Sequence, residues 1–379
     1  MLHLSQGCSD PTEICAQNFL DPGSRKIWSA GEISSQNRNG GCSLTQSAMS
    51  RSDCTTRSSN SACYNVLYRT MDGTCNNIDR PTLGAAATPF LRVKQSLFED
   101  GDSLPMGTNP NERPSARDAS RLLLSANISL NDNRFNALLM QFGQFIVHDI
   151  SKFSFLPFDS CSAGCQSATH KCSPILTNAN DAKFGRCAQP PCCLLLVRSS
   201  PVCGSRPRLE LNEQSSFLDG SQIYGNSLTD NDRLRDGAFM RTTEFDGKSY
   251  LPFNSGSCSS GSQCPANFDA GDNRITIFAG LVCFHTLFLR EHNRIAKILT
   301  DTNRHWSRDR VFQESRKIVG AELQAIVYKE WLPKILGSRF DSLIGQYRGY
   351  NPSTDPSMAD HFTFAAMRFG HGMIHDSFL

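Results

Sequence analysis

Gln144 and His148 stand among large apolar residues in the segment FNALLMQFGQFIVHDI at 135–150. The apolar residues recur at helical spacing, and residues four apart lie on the same face of a helix. A neutral imidazole can accept a proton near neutral pH, so His148 is a candidate general base with Gln144 beside it. The alternative is a buried histidine that is hydrogen-bonded to a backbone carbonyl, which is the favoured interpretation of a lone histidine.

The segment SSFLDGS is rich in oxygen-bearing side chains and contains a glycine suited to a turn. Ser215, Asp219 and Ser221, with the carbonyls between them, offer the oxygen ligands that Ca²⁺ prefers. Asp149 lies about 100° around the predicted helix from His148 and would add a second carboxylate. Taken alone, the segment is also typical of an ordinary turn.

Arg274 and His371 could complete a reactive site. Arg274 follows a turn, AGDNR, and could point into the same pocket as His148, although an arginine after a turn is more often exposed. His371 follows Gly370 in MRFGH, where the missing side chain would let a large planar ligand approach the backbone. Its alternative is again a buried, hydrogen-bonded histidine. Imidazole is a suitable ligand for iron, so a haem ligated by His371, with the other polar residues over its open face, would explain the whole set.

These side chains need a helical framework to position them. Apolar residues recur at helical spacing in 135–150, 281–299 and 311–335, which predicts three helices. His285 and His292 are seven residues apart on the second of these and are expected to pack or cap rather than to bind a metal. We therefore expect a mainly α-helical fold with long disulfide-stapled loops and little β-structure.

The sequence contains 16 cysteines, crowded into surroundings rich in Ser, Gly and Pro. This usage predicts disulfides and an oxidising, extracellular compartment. A turn at Met71–Gly73 should bring Cys63 and Cys75 together. A second cluster, within 161–203, lacks the paired CxxC motifs of a zinc site, which favours disulfides there as well. Cys283, in an apolar helical context, is expected to be a free and buried thiol.

The overall composition limits the possible partners. The 379 residues carry 38 Lys and Arg against 36 Asp and Glu, a net charge of +2, so there is no large electrostatic footprint for nucleic acid. The longest apolar stretch, 277–289, is shorter than the roughly 20 residues of a membrane-spanning helix, and no membrane span is expected. We expect residues 1–60 to form an irregular leader rich in Cys and Ser, and residues 61–379 to form a larger domain. No secretory signal is visible at the N-terminus.

From Cys63 onward the sequence resembles the animal haem peroxidases, the family that includes myeloperoxidase and peroxidasin. The resemblance implies an enzyme that reduces hydrogen peroxide and oxidises small donors, such as phenols, tyrosine or halides, through the intermediate compound I. Eight motifs carry it, and they follow the order of the family: YRTMDGTCNN (68–77), RPSARDAS (113–120), QFGQFIVHD (141–149), SSFLDGSQIYG (215–225), AGDNR (270–274), FLREHNRIA (288–296), YKEWLPKILG (328–337) and MRFGHGMI (367–374).

The resemblance also implies a role for each candidate residue. His148 looks like the distal base, Arg274 like the distal cation, and Gln144 like the residue that hydrogen-bonds the distal water or halide. His371 looks like the proximal iron ligand, and Arg368 like a partner of a haem propionate. The family's Ca²⁺ site is matched by Asp149, Ser215, Phe217 (through its carbonyl), Asp219 and Ser221.

One departure from the family concerns haem attachment. Many members form ester bonds to haem from an Asp directly before the distal histidine and a Glu three residues after the distal arginine. This chain has Val147 and Ile277 there, and Phe278 stands where myeloperoxidase has its sulfonium-forming Met. We therefore expect non-covalent haem b and no oxidation of chloride.

A second departure concerns the end of the domain. The family domain continues well beyond the proximal histidine, whereas this sequence ends at Leu379, eight residues after His371. We therefore expect a peroxidase domain that is incomplete at its C-terminus. The alternative function is a secreted, disulfide-rich, Ca²⁺-stabilised protein that keeps the peroxidase shape without activity and serves as a binding or matrix module.

Overall fold

The computed structural model describes most of the predicted domain. The expected leader at 1–60 lies outside the described residues, and so do Cys203, Cys258 and Cys264. The described residues are 63, 67–104, 115–124, 132–154, 161, 164–165, 168–187, 192–202, 205–253 and 268–374.

Helices dominate the described part of the chain. The helices are α1 (Ala116–Leu123), α2 (Leu138–Ile150), α3 (Ser221–Tyr224), α4 (Leu228–Leu234), α5 (Ala279–Thr302), α6 (Arg308–Ile326), α7 (Leu332–Leu336), α8 (Phe340–Leu343) and α9 (Asp360–Phe364). Three 3₁₀ segments, Asn273–Ile277, Gly337–Arg339 and Ala366–Met373, and a π-helical turn, Val327–Trp331, accompany them. The predicted mainly α-helical class is confirmed.

The β-structure consists of short antiparallel pairs of two or three residues per strand. The strands are β1 (Thr88–Pro89), β2 (Ile175–Leu176), β3 (Cys193–Leu194), β4 (Leu211–Asn212), β5 (Arg235–Asp236), β6 (Phe239–Met240), β7 (Thr243–Phe245) and β8 (Lys248–Tyr250). They pair as β1 with β4, β2 with β3, β5 with β6 and β7 with β8. Among the described residues, the structure contains no helix whose length and apolar character would let it span a bilayer.

The core lies where α2, α5 and α6 pack together. Phe145 of α2 is fully buried and stacks on Phe288 of α5, with ring centroids 5.3 Å apart. Gly143 is needed within α2 because a Cβ there would lie 2.9 Å from the Trp331 ring. The Trp331 indole in turn donates a hydrogen bond to the backbone carbonyl of Leu139, at 2.9 Å. This packing fixes the helix that carries Gln144 and His148.

Two of the predicted helices differ in their bounds from the sequence pattern. The first begins at Leu138 rather than at residue 135. The third does not run unbroken through 311–335, because α6 ends at Ile326 and a π-helical turn follows before α7. A single π-helical turn is too short to change the apolar pattern visibly, so the sequence pattern does not reveal it.

Disulfides hold the described part of the cysteine-rich loops, as predicted. Cys63 is bonded to Cys75 around the expected turn, where Gly73 has a φ of +76°. The other described bridges are Cys161–Cys172, Cys165–Cys193 and Cys187–Cys192. Cys283 is free, as expected, but it is exposed rather than buried. It lies on the outer face of α5, which the apolar sequence around it did not reveal.

Both histidines of α5 are buried in the core. His285 lies edge-on to the Phe145 ring, with centroids 5.2 Å apart. His292 bonds to the Tyr224 hydroxyl at 2.9 Å and to the Ala238 carbonyl at 3.2 Å. The carbonyl can only accept, so Nε2 of His292 donates to it and Nδ1 accepts from the tyrosine. The expectation that these histidines pack within the fold is confirmed.

We expect the protein to lose stability in mild acid because of these two imidazoles. Burial lowers the pKa of His285 to about 4 and that of His292 to about 3. In the unfolded chain both have a pKa of about 6.5, so the unfolded state binds more protons below that pH. The stability that these two groups contribute is therefore fully present above pH ~6.5 and should fall by about 2–3 kcal/mol per pH unit near pH 5.

Urea unfolding at pH 7, 6 and 5 measures this slope. A His292→Gln variant is the control, since it keeps every carboxylate but loses one proton-binding group. Its slope should be smaller by about 1.4 kcal/mol per pH unit. Equal slopes for the variant and the parent protein would contradict the explanation.

Candidate functional site

Helix α2 presents Gln144 and His148 on the predicted shared face. His148 is buried, with 6% of its surface exposed, and its Nδ1 has no hydrogen-bond partner among the described residues. The alternative interpretation, a core histidine bonded to a carbonyl, therefore does not fit this geometry. Gln144 is half-buried, and its Oε1 accepts a hydrogen bond from Gln141 Nε2 at 3.0 Å.

The surroundings of His148 keep its ring neutral. Burial, and then the positive charge of Arg274, lower the pKa of His148 to about 3. The charges of Asp272, His285 and Arg368 also act on the ring. A neutral imidazole at physiological pH has a nitrogen lone pair free to take a proton.

Arg274 lies against His148, as the sequence analysis expected. Its Nη2 donates to the backbone carbonyl of His148 at 3.1 Å. Its Nε and Nη2 also pair with the carboxylate of Asp272, with Nη2 2.6 Å from Oδ2. Asp272 was not among the predicted site residues. The sequence feature that could have pointed to Asp272 is an acidic residue two positions before the arginine, where the 3₁₀ turn begins.

The turn before Arg274 is pressed against α3. A Cβ placed on Gly271 would lie 2.7 Å from the carbonyl oxygen of Gln222, and the backbone of Gly225 is closer still. Backbone atoms cannot give way as the end of a flexible side chain can. Glycine is therefore required here so that the turn can carry Arg274 to His148.

We expect Gly271→Ala to lower the free energy of unfolding by about 1–3 kcal/mol, which is the usual cost of overpacking. Thermal unfolding measures the change. The matched control is Gly372→Ala, because a Cβ at Gly372 meets no atom within 4 Å. A Gly271→Ala protein as stable as the control variant would show that this close approach does not constrain the turn.

The predicted oxygen cluster forms on the other side of α2. Asp149 is fully buried, and its carboxylate accepts hydrogen bonds from the backbone nitrogens of Gly220 at 3.2 Å and Gln222 at 3.3 Å. The Ser221 hydroxyl donates to the Asp149 carbonyl at 3.0 Å, and the Ser215 hydroxyl donates to Asp219 Oδ2 at 2.7 Å. The carbonyl of Phe217 accepts from the Asp219 nitrogen at 3.0 Å. The five predicted ligand residues thus belong to one hydrogen-bonded cluster.

Two buried carboxylates face each other in this cluster. Burial, together with the negative charge of Asp219, raises the pKa of Asp149 well above its usual range. Neither carboxylate forms an ion pair within the described part of the chain. The buried Arg316 interacts with Asp219 electrostatically, but it bonds to the carbonyls of Arg69 and Thr70. A cation bound between the carboxylates would offset their repulsion.

His371 and Arg368 lie on the 3₁₀ segment Ala366–Met373. The imidazole of His371 is exposed, so its alternative interpretation as a buried core histidine is wrong. Arg368 is half-buried, donates from Nε to the Thr363 carbonyl at 3.0 Å, and lies over the Phe153 ring. Its charge acts on both His148 and Arg274.

The chain is anchored just before this segment. Asp360 at the start of α9 donates from its backbone nitrogen to the Leu91 carbonyl at 3.0 Å and pairs with Arg92 at 2.9 Å. A Cβ on Gly370 would lie 4.0 Å from Met140 near the start of α2. The structure thus brings Arg368 toward His148, whereas His371 is exposed.

Comparisons with known proteins identify the family of this chain. The family model "Animal haem peroxidase" matches residues 68–379. Peroxidase mlt-7 of Caenorhabditis elegans is 46% identical over 318 residues, which are 83% of this chain and 44% of that protein. Peroxidase skpo-1 of the same organism is 35% identical over 379 residues, 99% of this chain and 52% of the relative. The chain spans about half the length of these relatives.

A solved structure is similar as well. Peroxidase A from Dictyostelium discoideum superposes with a TM-score of 0.66 at 26% sequence identity, over 80% of this chain and 59% of that one. The family model covers most of the chain, and it includes the segments that hold Gln144, His148, Arg274 and His371. The chain therefore belongs to the animal haem peroxidase family.

Proposed function

We propose that residues 61–379 act in a haem peroxidase that reduces hydrogen peroxide and oxidises a small donor. One observation carries the proposal: the buried, neutral imidazole of His148 has an unpartnered nitrogen, and the Arg274 guanidinium beside it donates to the backbone carbonyl of His148. A proton acceptor and a fixed positive charge at one place are what the cleavage of a peroxide bond requires.

The residues present fit a bound haem. The unpartnered ring nitrogen of His148 is a buried polar atom that a bound ligand would satisfy, and the exposed imidazole of His371 would serve as an iron ligand. Arg368, whose charge reaches the His148 cluster, is the proposed partner of a haem propionate. Bound haem supplies the iron-centred, two-electron chemistry that amino-acid side chains lack.

The side chains of the chain itself move and stabilise charge. His148 would take a proton from one oxygen of the bound peroxide and return it to the other, so that this second oxygen leaves as water while the haem supplies the two electrons. Arg274 stabilises the negative charge that grows as the oxygen–oxygen bond lengthens. Gln144, on the same face of α2, hydrogen-bonds the water or halide that occupies the site. We propose phenols, tyrosine or halides other than chloride as the donors.

The oxygen cluster fits a calcium ion, which we propose as the second cofactor. The donors are two carboxylates, two hydroxyls and a carbonyl, which suits a hard cation. The described residues contain no group of three or more His, Cys, Asp or Glu side chains that could hold a metal ion, so hydroxyl and carbonyl oxygens would have to complete this site. Asp149 is the residue after His148, so an ion bound there would fix the helix that carries the proposed base.

The disulfides support an extracellular location. Four bridges join described cysteines, and such bridges persist in oxidising compartments. We propose that the protein acts outside the cell.

Hemin titration of the purified chain tests the proposed function. We expect a Soret band characteristic of a histidine-ligated ferric haem, and then peroxide-dependent oxidation of a phenol. His371→Ala should abolish that band, and His361→Ala, which removes another exposed imidazole nearby, should not. A folded chain that binds no hemin would reject the proposal and favour the non-catalytic binding or matrix module.

The same preparation tests how haem is attached. Neither Val147 nor Ile277 has a carboxylate that could form an ester, and the Ile277 side chain is 65% exposed. Acid-acetone extraction should therefore remove all of the haem from the polypeptide. Haem that stays on the chain after extraction would contradict non-covalent binding.

A further inference from the structure

We propose that Asp272 is the positioning residue of this site: its carboxylate holds the Arg274 guanidinium against the backbone carbonyl of His148. The inference rests on the proposed peroxidase function for its importance, but the pairing itself can be tested without haem. Asp272 does not touch peroxide in this scheme. It acts through the arginine that it orients.

The geometry leaves the guanidinium few alternative positions. The side chain of Asp272 is fully buried, whereas that of Arg274 is 20% exposed. Asp272 Oδ1 accepts from Arg274 Nε at 3.0 Å, and Oδ2 accepts from Nη2 at 2.6 Å. Two parallel bonds of this kind fix the plane of the guanidinium as well as its position. The same Nη2 reaches the His148 carbonyl at 3.1 Å.

The pairing leaves one nitrogen of Arg274 for a ligand. Nε and Nη2 are used by Asp272 and by His148, whereas Nη1 forms no hydrogen bond with the described residues. A guanidinium bonded on two of its three nitrogens presents the third in a fixed direction. Asp272 therefore decides which part of Arg274 faces the proposed peroxide site.

The competing explanation is that Asp272 only caps the 3₁₀ turn. Its Oδ1 accepts from the backbone nitrogen of Arg274 at 2.7 Å, which is the bond of an N-cap residue. Asparagine caps a helix about as well as aspartate does. Asp272→Asn therefore keeps the cap and the size of the side chain and removes the charge that holds the guanidinium.

Arginine side-chain NMR tests the pairing directly. In the full chain with ¹⁵N-labelled arginine, the Nε–H of Arg274 should exchange with water about tenfold faster, or more, in Asp272→Asn than in the parent protein. Arg274→Gln identifies the resonance. An unchanged exchange rate in Asp272→Asn would overturn the proposal and leave Asp272 as a cap.

A double-mutant cycle gives a second measurement that needs no haem. Asp272→Asn should lower the midpoint of urea unfolding, because a partly buried guanidinium loses its counter-ion. The same substitution should have no such effect in an Arg274→Gln background. If Asp272→Asn alone fails to fold, recovery of folding in the double variant supports the pairing. Failure of both would mean that Asp272 acts on something other than Arg274.

Kinetics of the haem-loaded enzyme then connect the pairing to peroxide. Asp272→Asn should lower kcat/KM for hydrogen peroxide by roughly 10²-fold, as expected for a misplaced catalytic group, and leave KM for the phenol donor unchanged. An equal loss of kcat/KM for hydrogen peroxide and for the phenol would indicate a general structural defect and overturn the positioning role. If the parent protein shows no peroxidase activity, the proposed function fails while the exchange and unfolding results still decide the pairing.

Discussion

His148→Ala should lower the rate of reaction with hydrogen peroxide by roughly 10²–10⁴-fold, the usual contribution of a general acid–base group. The expected cause is loss of the proton acceptor rather than loss of the fold. The described residues form no hydrogen bond to the buried ring nitrogen Nδ1, so its removal leaves no protein group newly unpaired there. Stopped-flow absorption of the hemin-loaded protein after mixing with peroxide measures the rate.

Haem binding separates this role from a structural one. The hemin affinity of His148→Ala should match that of the parent protein, because His371 is the proposed iron ligand. His305→Ala is the control for the loss of an imidazole, since that side chain is exposed between α5 and α6. Rapid reaction with peroxide in His148→Ala would remove this residue from the mechanism.

Removal of the proposed calcium ion should lower the midpoint of thermal unfolding by about 5 °C. Saturation of a site at roughly a thousand times its Kd stabilises a folded protein by about 4 kcal/mol, and each kcal/mol corresponds to roughly 1.3 °C in a protein of this size. Chelation with EDTA, followed by addition of Ca²⁺, measures the shift and its reversal. A midpoint that does not respond to either would reject the cation site.

The two facing carboxylates also predict a reversal of sign in Asp149→Asn. With calcium present this variant should be less stable than the parent protein, because a ligand is lost. After chelation it should be as stable or more stable, since the repulsion from Asp219 is removed. Asp360→Asn is the matched control: Asp360 is also buried, but it pairs with Arg92, so its effect should not depend on calcium.

The sequence established the helices and the class of fold because both depend on local patterns. Apolar residues at helical spacing located α2 and α5 to within a few residues, and the turn before Cys75 correctly placed it beside Cys63. The exposure of Cys283 was not predictable in this way. Whether one position of an amphipathic helix faces solvent depends on what packs against it, and that is a property of the whole chain.

For the site residues too, the sequence established one part and the tertiary structure decided the other. Residue type and spacing made His148 and Arg274 candidates, because proton transfer and charge stabilisation need an imidazole and a guanidinium, and the resemblance to the family gave each its expected role. The tertiary structure decided that Arg274 is bonded to Asp272 and to the His148 carbonyl, 126 residues away in the chain. Sequence patterns report local preferences, whereas contacts between distant segments form only when the core closes around them.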